Sequence, residues 1–447
     1  MQREKPRILF VTAFTVAFGF LIIATPLFAV SKGKVLYDFK GTDGANPDAS
    51  LVFDAAGNLY GTTSTGGAYG AGCGGQGCGT VFELVPGENG KWTETVLHSF
   101  TGGSDGSQPF NSLIFDAGGN SYGTTSDGGA YGTGCGGFGG YGCGTVFQLT
   151  RSVSGKWTEK VLHSFGNGED GADPAGLVFD AHGNLYGTPI GGGAYGGAGT
   201  VFRLAPGAHG KWTERVLHSF SYENDDGYNP WAGVIFDAKG NLYGTTSGGG
   251  TNRTDCESYG CGTVFELTPG ANGKWTEKLL HSFGYGKDGF LPYAGLTIDA
   301  AGNLYGTTYF GGGRNLGTVF RLEPGTNGKW TEKVLHSFGY GEDGIDPVEG
   351  LNIDAAGNLY GATPGGGVYG NYGTVFQLSS GTNGEWKETL LHSFDDNGKD
   401  GLYPYAGVIF DAARNLYGTT FSGPGGAQGF GTVFKISRSQ SSFSKRR

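Results

Sequence analysis

The cysteines are the residues whose spacing most directly suggests chemistry. They fall in three close pairs, Cys73/Cys78, Cys135/Cys143 and Cys256/Cys261. Such short spacings favour local disulfides in a chain that is exported to an oxidising compartment. A zinc site is the alternative, but it needs four ligands that meet tetrahedrally, and the third pair has no other pair nearby. We therefore predict three disulfides, each of which shapes a loop.

Histidines recur at one position of a repeated Leu-His-Ser-Phe segment. They are His98, His163, His218, His281, His336 and His392. Their number would suit a metal centre, but one position repeated in separate units keeps the rings apart, so they cannot converge on a single ion. Tyr37 replaces the histidine in the first copy, as a structural position would allow. We therefore predict that the histidines are structural.

An Asp-Gly-x-x-Pro loop occurs seven times. Its aspartates are Asp43, Asp105, Asp170, Asp226, Asp288, Asp343 and Asp400. In a turn, such an aspartate accepts a backbone N–H while the glycine supplies a positive φ angle. Calcium is the alternative ligand, because hard cations prefer carboxylate and carbonyl oxygens. Further acids at Asp173, Glu342 and Asp346 keep calcium open as a cofactor in some repeats.

The sequence contains no recognisable catalytic motif. Residues 70–75 match the dinucleotide fingerprint GxGxxG as a string, but no helical pattern follows them. General acid–base catalysis needs converging carboxylates or histidines. Loop carboxylates are available at Asp127, Asp173, Glu257 and Glu349, but nothing in the sequence ties any two of them together. We therefore assign no catalytic residue.

These residues are positioned by a hairpin that the sequence repeats seven times. One copy, residues 233–244, reads GVIFDAKGNLYG: an apolar run, a turn and a Tyr-Gly exit. Its Asp-Ala pair recurs every 55 to 64 residues, at Asp54, Asp116, Asp180, Asp237, Asp299, Asp354 and Asp411. A period of this size indicates an array or closed ring of one unit. Most of the 92 glycines fit this interpretation, because they stand at turns.

Each repeat contains four short segments in the same order. Strand A reads Gly-Leu-Val-Phe-Asp, strand B reads Leu-Tyr-Gly-Thr-Thr, strand C reads Gly-Thr-Val-Phe, and strand D runs from a Trp to Leu-His-Ser-Phe. Four antiparallel strands in seven units predict an all-β, seven-bladed β-propeller. The last repeat ends after strand C, whereas residues 34–39 form a lone strand D at the beginning. Pairing of these two segments would close the ring and remove both sheet edges.

The motifs GNLYGTT, GTVF and LHSF, in this order and spacing, resemble the GloVer tandem repeat. The chain is thereby similar to the choice-of-anchor tandem repeat GloVer-containing protein family of exported bacterial proteins. The resemblance covers almost all of residues 34–436. It implies a surface or secreted bacterial protein and does not specify a reaction.

The two ends of the chain differ in composition from the repeats. Residues 1–29 combine Arg3, Lys5 and Arg7 with a long apolar span, which predicts a cleaved signal peptide or an N-terminal anchor. Residues 437–447 form a basic tail that we predict to be disordered. We expect export to the periplasm, the cell surface or the medium, and membrane contact only through residues 1–29 if they are not cleaved. A formal charge of −10 argues against nucleic acid as a partner, and we expect a monomer.

The repeats differ in the length of the B–C loop and in the residue that follows the loop proline, and we expect function at these two places. In a propeller, the D–A and B–C loops lie on one face, around the mouth of the central channel. The residue after the loop proline varies as Asp48, Phe110, Ala175, Trp231, Tyr293, Val348 and Tyr405. The predicted ligand face consists of the aromatic residues of both loop sets, Phe110, Trp231, Tyr293, Tyr405, Tyr69, Tyr131, Tyr195 and Tyr369.

Aromatic side chains on a polar, glycine-rich rim suit stacking on sugar rings or on peptide side chains. The main hypothesis is therefore a non-enzymatic binding scaffold for carbohydrate or protein. One alternative is a propeller hydrolase or lyase that acts on polysaccharide. A second alternative is a purely structural component of the cell envelope. The aromatic residues would serve only to plug the mouth of the channel if they bind no ligand.

Overall fold

The computed structural model describes residues 33–69, 73–131, 142–223, 225–252, 256, 260–284, 286–424 and 429–437. The predicted N-terminal segment, residues 1–29, and nearly all of the predicted tail, residues 437–447, lie outside these ranges. No helix within the described ranges is both long and apolar enough to span a membrane.

Seven four-stranded antiparallel sheets form the blades, as predicted. Blades 1 to 3 contain β2 (Val52–Phe53), β3 (Leu59–Thr63), β4 (Thr80–Pro86) and β5 (Trp92–Ser99); β6 (Ile114–Phe115), β7 (Ser121–Thr125), β8 (Thr145–Arg151) and β9 (Trp157–Ser164); and β10 (Ala172–Phe179), β11 (Leu185–Gly191), β12 (Thr200–Pro206) and β13 (Trp212–Ser219).

Blades 4 to 6 repeat this order. They contain β15 (Ile235–Phe236), β16 (Leu242–Thr246), β18 (Thr263–Pro269) and β19 (Trp275–Ser282); β20 (Thr297–Ile298), β21 (Leu304–Thr308), β22 (Thr318–Pro324) and β23 (Trp330–Ser337); and β25 (Asn352–Ile353), β26 (Leu359–Thr363), β28 (Thr374–Ser380) and β29 (Trp386–Ser393).

Blade 7 joins the two ends of the chain. It contains β30 (Ile409–Phe410), β31 (Leu416–Thr420), β32 (Thr432–Ile436) and, as its strand D, β1 (Gly33–Asp38). β1 runs antiparallel to β32, with Gly33 opposite Ile436 and Asp38 opposite Thr432. The predicted closure of the ring by the N-terminal strand is therefore confirmed.

The remaining elements are short and belong to the connections. Two-stranded pairs are formed by β14 (Gly227–Tyr228) with β17 (Gly248–Gly249) and by β24 (Gly344–Ile345) with β27 (Gly365–Gly366). Helical structure in the described residues is limited to single 3₁₀ turns at Cys73–Gly75, Glu88–Gly90, Ala208–Gly210, Ala271–Gly273 and Thr326–Gly328.

The hairpin that joins strands A and B is held by its aspartate. In blade 4, Asp237 Oδ1 accepts the backbone N–H groups of Lys239 and Asn241, and Oδ2 accepts the side chains of Asn241 and Tyr243. Burial disfavours the charged form of this carboxyl, but the hydrogen bonds outweigh burial and lower its pKa. Asp237 is therefore a turn residue, as its seven-fold repetition suggested.

Close packing inside each blade explains the glycine of strand B. A Cβ atom on Gly244 would lie 2.5 Å from the ring of Phe265 on the neighbouring strand C. The phenylalanine that ends strand D then packs against strand C of the next blade. This edge-to-face pair occurs at all seven interfaces with centroids 5.1 to 5.2 Å apart, as Phe39–Phe82, Phe100–Phe147, Phe165–Phe202, Phe220–Phe265, Phe283–Phe320, Phe338–Phe376 and Phe394–Phe434.

Candidate functional site

The D–A loops cross from one blade to the next through a strained residue just before the loop proline. This residue has a φ angle between 53° and 60° in every blade, although it is never glycine: Asn46, Gln108, Asp173, Asn229, Leu291, Asp346 and Tyr403. Its backbone N–H donates to a carbonyl of the preceding B–C loop; Asp346, for example, donates to Leu316. These loops therefore lock neighbouring blades together on this face.

The residues that follow the proline lead into the innermost strands, where the blades approach each other closely. A Cβ atom on Gly233 would lie 2.6 Å from the carbonyl oxygen of Gly176 in the preceding blade, and one on Gly350 would lie 3.2 Å from that of Gly295. The side chains directly after the proline consequently surround the axis on the loop face. We call the surface formed by Asp48, Phe110, Trp231, Tyr293, Val348 and Tyr405 the mouth.

Ala175 does not belong to this set. In five blades a threonine hydroxyl of strand B donates to the carbonyl of the second residue after the next proline, as Thr188 does to Ala232. Thr124 donates to Ala175 in the same way, although Ala175 directly follows its proline. Ala175 is therefore equivalent to Ala232, so blade 3 has no residue at the position that Trp231 occupies in blade 4.

Aromatic rings line part of the mouth. Trp231 and Tyr293 on adjacent blades meet edge to face with centroids 5.6 Å apart, and Tyr293 contacts Tyr309 in the same manner at 5.5 Å. Tyr405 packs on Phe421 at 5.5 Å. Phe110 and Tyr405 remain 41% and 39% exposed. Four of the eight residues of the predicted ligand face thus belong to the mouth: Phe110, Trp231, Tyr293 and Tyr405.

Acidic side chains lie beside these rings. Asp48 accepts a hydrogen bond from Ser64 at 2.7 Å through Oδ2, whereas its Oδ1 is buried and has no hydrogen-bond partner among the described residues. Burial raises the pKa of Asp48 to about 7. Burial likewise raises the pKa of Asp346 and of Glu349. The charges of Asp48 and Asp346 both raise the pKa of Tyr405 further, after the larger effect of its own burial.

The other four predicted face residues lie further out. Tyr69, Tyr195 and Tyr369 follow residues whose N–H groups donate to the serine at the end of strand D, for example Ala194 to Ser219. Gly129, two residues before Tyr131, lies near Ser164, which is the serine at the end of strand D in blade 2. These tyrosines are 42% to 59% exposed. They form an outer rim, separate from the mouth.

A cleft of about 570 Å³ opens on this rim beside Tyr195. It is bounded by Ala194 and Tyr195 of one B–C loop and by the end of β13 with the loop that follows it, including His218, Ser219, Ser221, Glu223 and Asp226. The repeat pattern gave no signal that singles out this cleft, because the longer segment between His218 and Asp226 recurs between His392 and Asp400.

Each histidine of strand D faces the aspartate of the following Asp-Gly-x-x-Pro loop. The Nε2–carboxylate distances run from 2.8 Å for His392–Asp400 to 3.6 Å for His218–Asp226. The aspartates also accept backbone N–H groups, as Asp170 does from Gly166 at 3.0 Å. At the first blade, Tyr37 donates to Asp43 at 2.6 Å instead. The histidines and aspartates thus stabilise the D–A turns.

A glutamate from strand D of the next blade stands close to each of these pairs except His392–Asp400, which Gly33 faces instead. Burial raises the pKa to about 7 for Glu94, Glu159, Glu214, Glu277, Glu332 and Glu388, and the neighbouring aspartate adds to this effect. One carboxylate oxygen of each is buried without a hydrogen-bond partner among the described residues. In those same ranges, no cluster of three or more His, Cys, Asp or Glu side chains is arranged to hold a metal ion.

Two of the three predicted disulfides are present in the described residues. Cys73–Cys78 and Cys256–Cys261 each join positions with Cα atoms 5.3 Å apart. Cys143 is also in a disulfide, but its predicted partner Cys135 lies outside the described residues. The bridges connect positions within single B–C loops and do not link blades.

Solved structures give matches of low sequence identity. A provisionally assigned gluconolactonase is 17% identical, with 66% of this chain and 84% of that chain covered and a TM-score of 0.37. The extracellular domain of a provisionally assigned one-component system from B. thetaiotaomicron is 10% identical, with 91% and 40% covered and a TM-score of 0.49. A luciferin-regenerating enzyme is 14% identical, with 73% and 90% covered and a TM-score of 0.41.

Comparison with curated proteins gives no significant match. At the level of sequence families, the Gloeobacter/Verrucomicrobia repeat matches residues 131–255 and 253–447, which together include most of the chain. The resemblance drawn from the repeated motifs is therefore confirmed. This seven-bladed propeller belongs to the Gloeobacter/Verrucomicrobia repeat family.

Proposed function

We propose that this propeller is an exported, non-enzymatic binding scaffold that takes a carbohydrate ligand at the mouth. The observation that supports this proposal is the set of aromatic rings that D–A loops hold around the axis: Trp231 and Tyr293 on adjacent blades, and Tyr405 on blade 7. Rings held in this way offer flat apolar surfaces for the C–H face of a sugar at little cost in conformational entropy. Neighbouring carboxylates supply acceptors for its hydroxyl groups.

Export is part of the same proposal. Disulfides persist in oxidising compartments, and the two bridges seen here lie in B–C loops. Residues 1–29 would then act as the signal peptide or anchor, residues 34–436 as the binding domain, and residues 437–447 as a basic tail. Fractionation of cells that express the full chain, with N-terminal sequencing of the exported form, tests this arrangement.

A glycan array tests the ligand. We expect the wild-type protein to bind at least one glycan, and Trp231→Ala to weaken that binding about tenfold or more, because a stacking platform is lost. Tyr369→Ala is the matched control, since it removes an exposed aromatic ring from the rim and leaves the mouth intact. Equal binding by wild type and Trp231→Ala would rule out the mouth, and preferential capture of peptides would assign a protein ligand.

The acids of the mouth favour a second candidate, a hydrolase or lyase that acts on polysaccharide. Asp48 has a pKa raised to about 7 by burial, and its charge acts on Tyr405. A carboxyl whose pKa lies near neutral can exchange protons with a substrate at that pH, whereas the phenol of Tyr405 stays protonated and can donate a hydrogen bond. Release of sugar products by the wild type, with loss of that release in Asp48→Asn, would support this candidate over simple binding.

A further inference from the structure

The rim cleft beside Tyr195 differs from the mouth in position and in chemistry. We propose that it is a second carbohydrate site, which binds one neutral hexopyranose ring. The residues that would contact the sugar are Tyr195, Ser219, Ser221, Glu223 and Asp226. The cleft has a volume of about 570 Å³, which is within the range of small-ligand sites.

The loop after β13 provides the space. His218 and Asp226 are eight positions apart, as are His392 and Asp400, whereas the other four histidine–aspartate pairs are seven apart. The His218–Asp226 distance of 3.6 Å is nevertheless the longest of the six, and that of His392–Asp400 is the shortest at 2.8 Å. Tyr222 then reaches back and donates its hydroxyl to the carbonyl of Gly197, which connects this loop to the B–C loop that carries Tyr195.

The chemistry of the lining suits a sugar. The ring of Tyr195 is 59% exposed and offers a stacking surface. Ser219 Oγ accepts the N–H of Ala194, and Ser221 Oγ accepts that of Glu223, so both hydroxyl protons can be donated to a ligand. The carboxylates of Glu223 and Asp226 can accept hydrogen bonds from adjacent sugar hydroxyls.

The charge of the lining restricts the class of sugar. Glu223 and Asp226 are acidic, and no lysine or arginine is among the described residues that line the cleft. Uronic acids and sulfated or phosphorylated sugars would be repelled. A neutral hexose is therefore the ligand that this lining favours.

Saturation-transfer NMR with methyl glucoside, methyl galactoside, methyl mannoside and methyl glucuronide tests the proposal. We expect at least one neutral glycoside to bind the wild type in the millimolar range, and the glucuronide to bind at least tenfold more weakly. Tyr195→Ala and Glu223→Gln should each weaken the neutral glycoside about tenfold. Both side chains are exposed, so the variants are expected to retain the melting temperature of the wild type.

Two control variants separate this site from the mouth. Tyr69→Ala removes the equivalent, 50% exposed tyrosine of blade 1, and Trp231→Ala alters the mouth. Tyr69→Ala should leave the binding of the neutral glycoside unchanged, and Tyr195→Ala should still weaken it when combined with Trp231→Ala. Failure of all four glycosides to bind, unchanged binding in Tyr195→Ala, or no effect of Tyr195→Ala in the Trp231→Ala background would overturn the rim site. The mouth proposal would survive the first two of these results, because its own ligand is tested on the array.

Discussion

Six blade interfaces follow one pattern, and the interface between blades 6 and 7 departs from it. At the regular interfaces, a strand B tyrosine meets a strand D tryptophan of the next blade with centroids 6.1 to 6.4 Å apart, as Tyr186 meets Trp275. At the interface between blades 6 and 7, which we call the seam, the sequence places Ser31 at the tryptophan position and Gly33 at the glutamate position of the repeat. The Phe394–Phe434 contact is nevertheless the same as elsewhere, at 5.1 Å.

This difference indicates which contacts the ring requires. The buried phenylalanine pair is present at all seven interfaces, whereas the tryptophan and the glutamate are dispensable at one of them. His392 uses the space that Gly33 leaves: its side chain is 9% exposed, compared with 19% to 21% for the other five histidines. Apolar packing near the middle of the blade thus defines the interface, and the outer polar residues adapt to it.

Removal of the seam strand β1 should have the largest effect on stability. A chain that lacks residues 1–40 loses β1 and leaves β32 with an unpaired edge and a less buried Phe434. We expect it to lose its single cooperative thermal transition and to aggregate, because an exposed edge strand pairs with other chains. Calorimetry and light scattering measure this, with a chain that lacks only residues 1–32 as the control. A sharp transition in both chains would show that ring closure is unnecessary.

Restoring the repeat residue at the seam should destabilise the protein. A Cβ atom at position 33 would lie 2.8 Å from the ring of His392, so Gly33→Glu forces this ring to move. We expect a loss of about 1–3 kcal/mol in the free energy of unfolding, as for other overpacked sites. The double variant Gly33→Glu/His392→Ala should recover part of that loss in urea denaturation, and a stabilised single variant would contradict the clash.

The disulfides close short loops, so their effect on stability can be compared with that of closing the whole ring. Cys256 and Cys261 are only five positions apart, so their bridge restricts a short loop. Replacing both by serine should cost at most about 2 kcal/mol, because the entropy of closing a short loop is small. The expected fall in the melting temperature is therefore much smaller than the effect of removing β1. A comparable effect would mean that this loop supports the blade.

The interface glutamates should produce a smaller, pH-dependent effect that is absent at the seam. Burial raises the pKa of Glu159 from its ordinary value of 4.5 to about 7, so the folded protein binds this proton more tightly than the unfolded chain does. The free energy of unfolding should therefore be highest below the ordinary pKa and fall as the pH rises towards about 7.

Melting temperatures between pH 5 and pH 8 measure this dependence. Glu159→Gln should reduce the slope by at most about one seventh, because five equivalent glutamates and Asp48 still titrate in this range. Lys34→Gln, a substitution at the seam, is the control and should leave the slope unchanged. Melting temperatures that rise with pH over this range would show that folding does not raise the pKa of these glutamates. Below pH 4 the A–B turn aspartates, whose pKa values hydrogen bonds lower against the effect of burial, should reverse the trend.

Sequence alone determined the regular part of this protein. The motif around Asp237 repeats seven times because every blade needs the same turn, and a lone strand D before the first repeat was sufficient to predict the seam. The structural interpretation of His218 and Asp226 also followed from repetition, although the sequence did not reveal that they face each other. Periodic positions are predictable because one packing requirement selects them in every copy.

Only the tertiary structure decided how the irregular residues are grouped. The sequence placed Tyr195 and Trp231 on one face, but the paths of their loops assign the first to the rim and the second to the mouth. It also gave no sign that Asp48 and Asp346 approach Tyr405, since they belong to three different blades. Such contacts depend on closing the ring, which brings together residues that are hundreds of positions apart and that no local pattern relates.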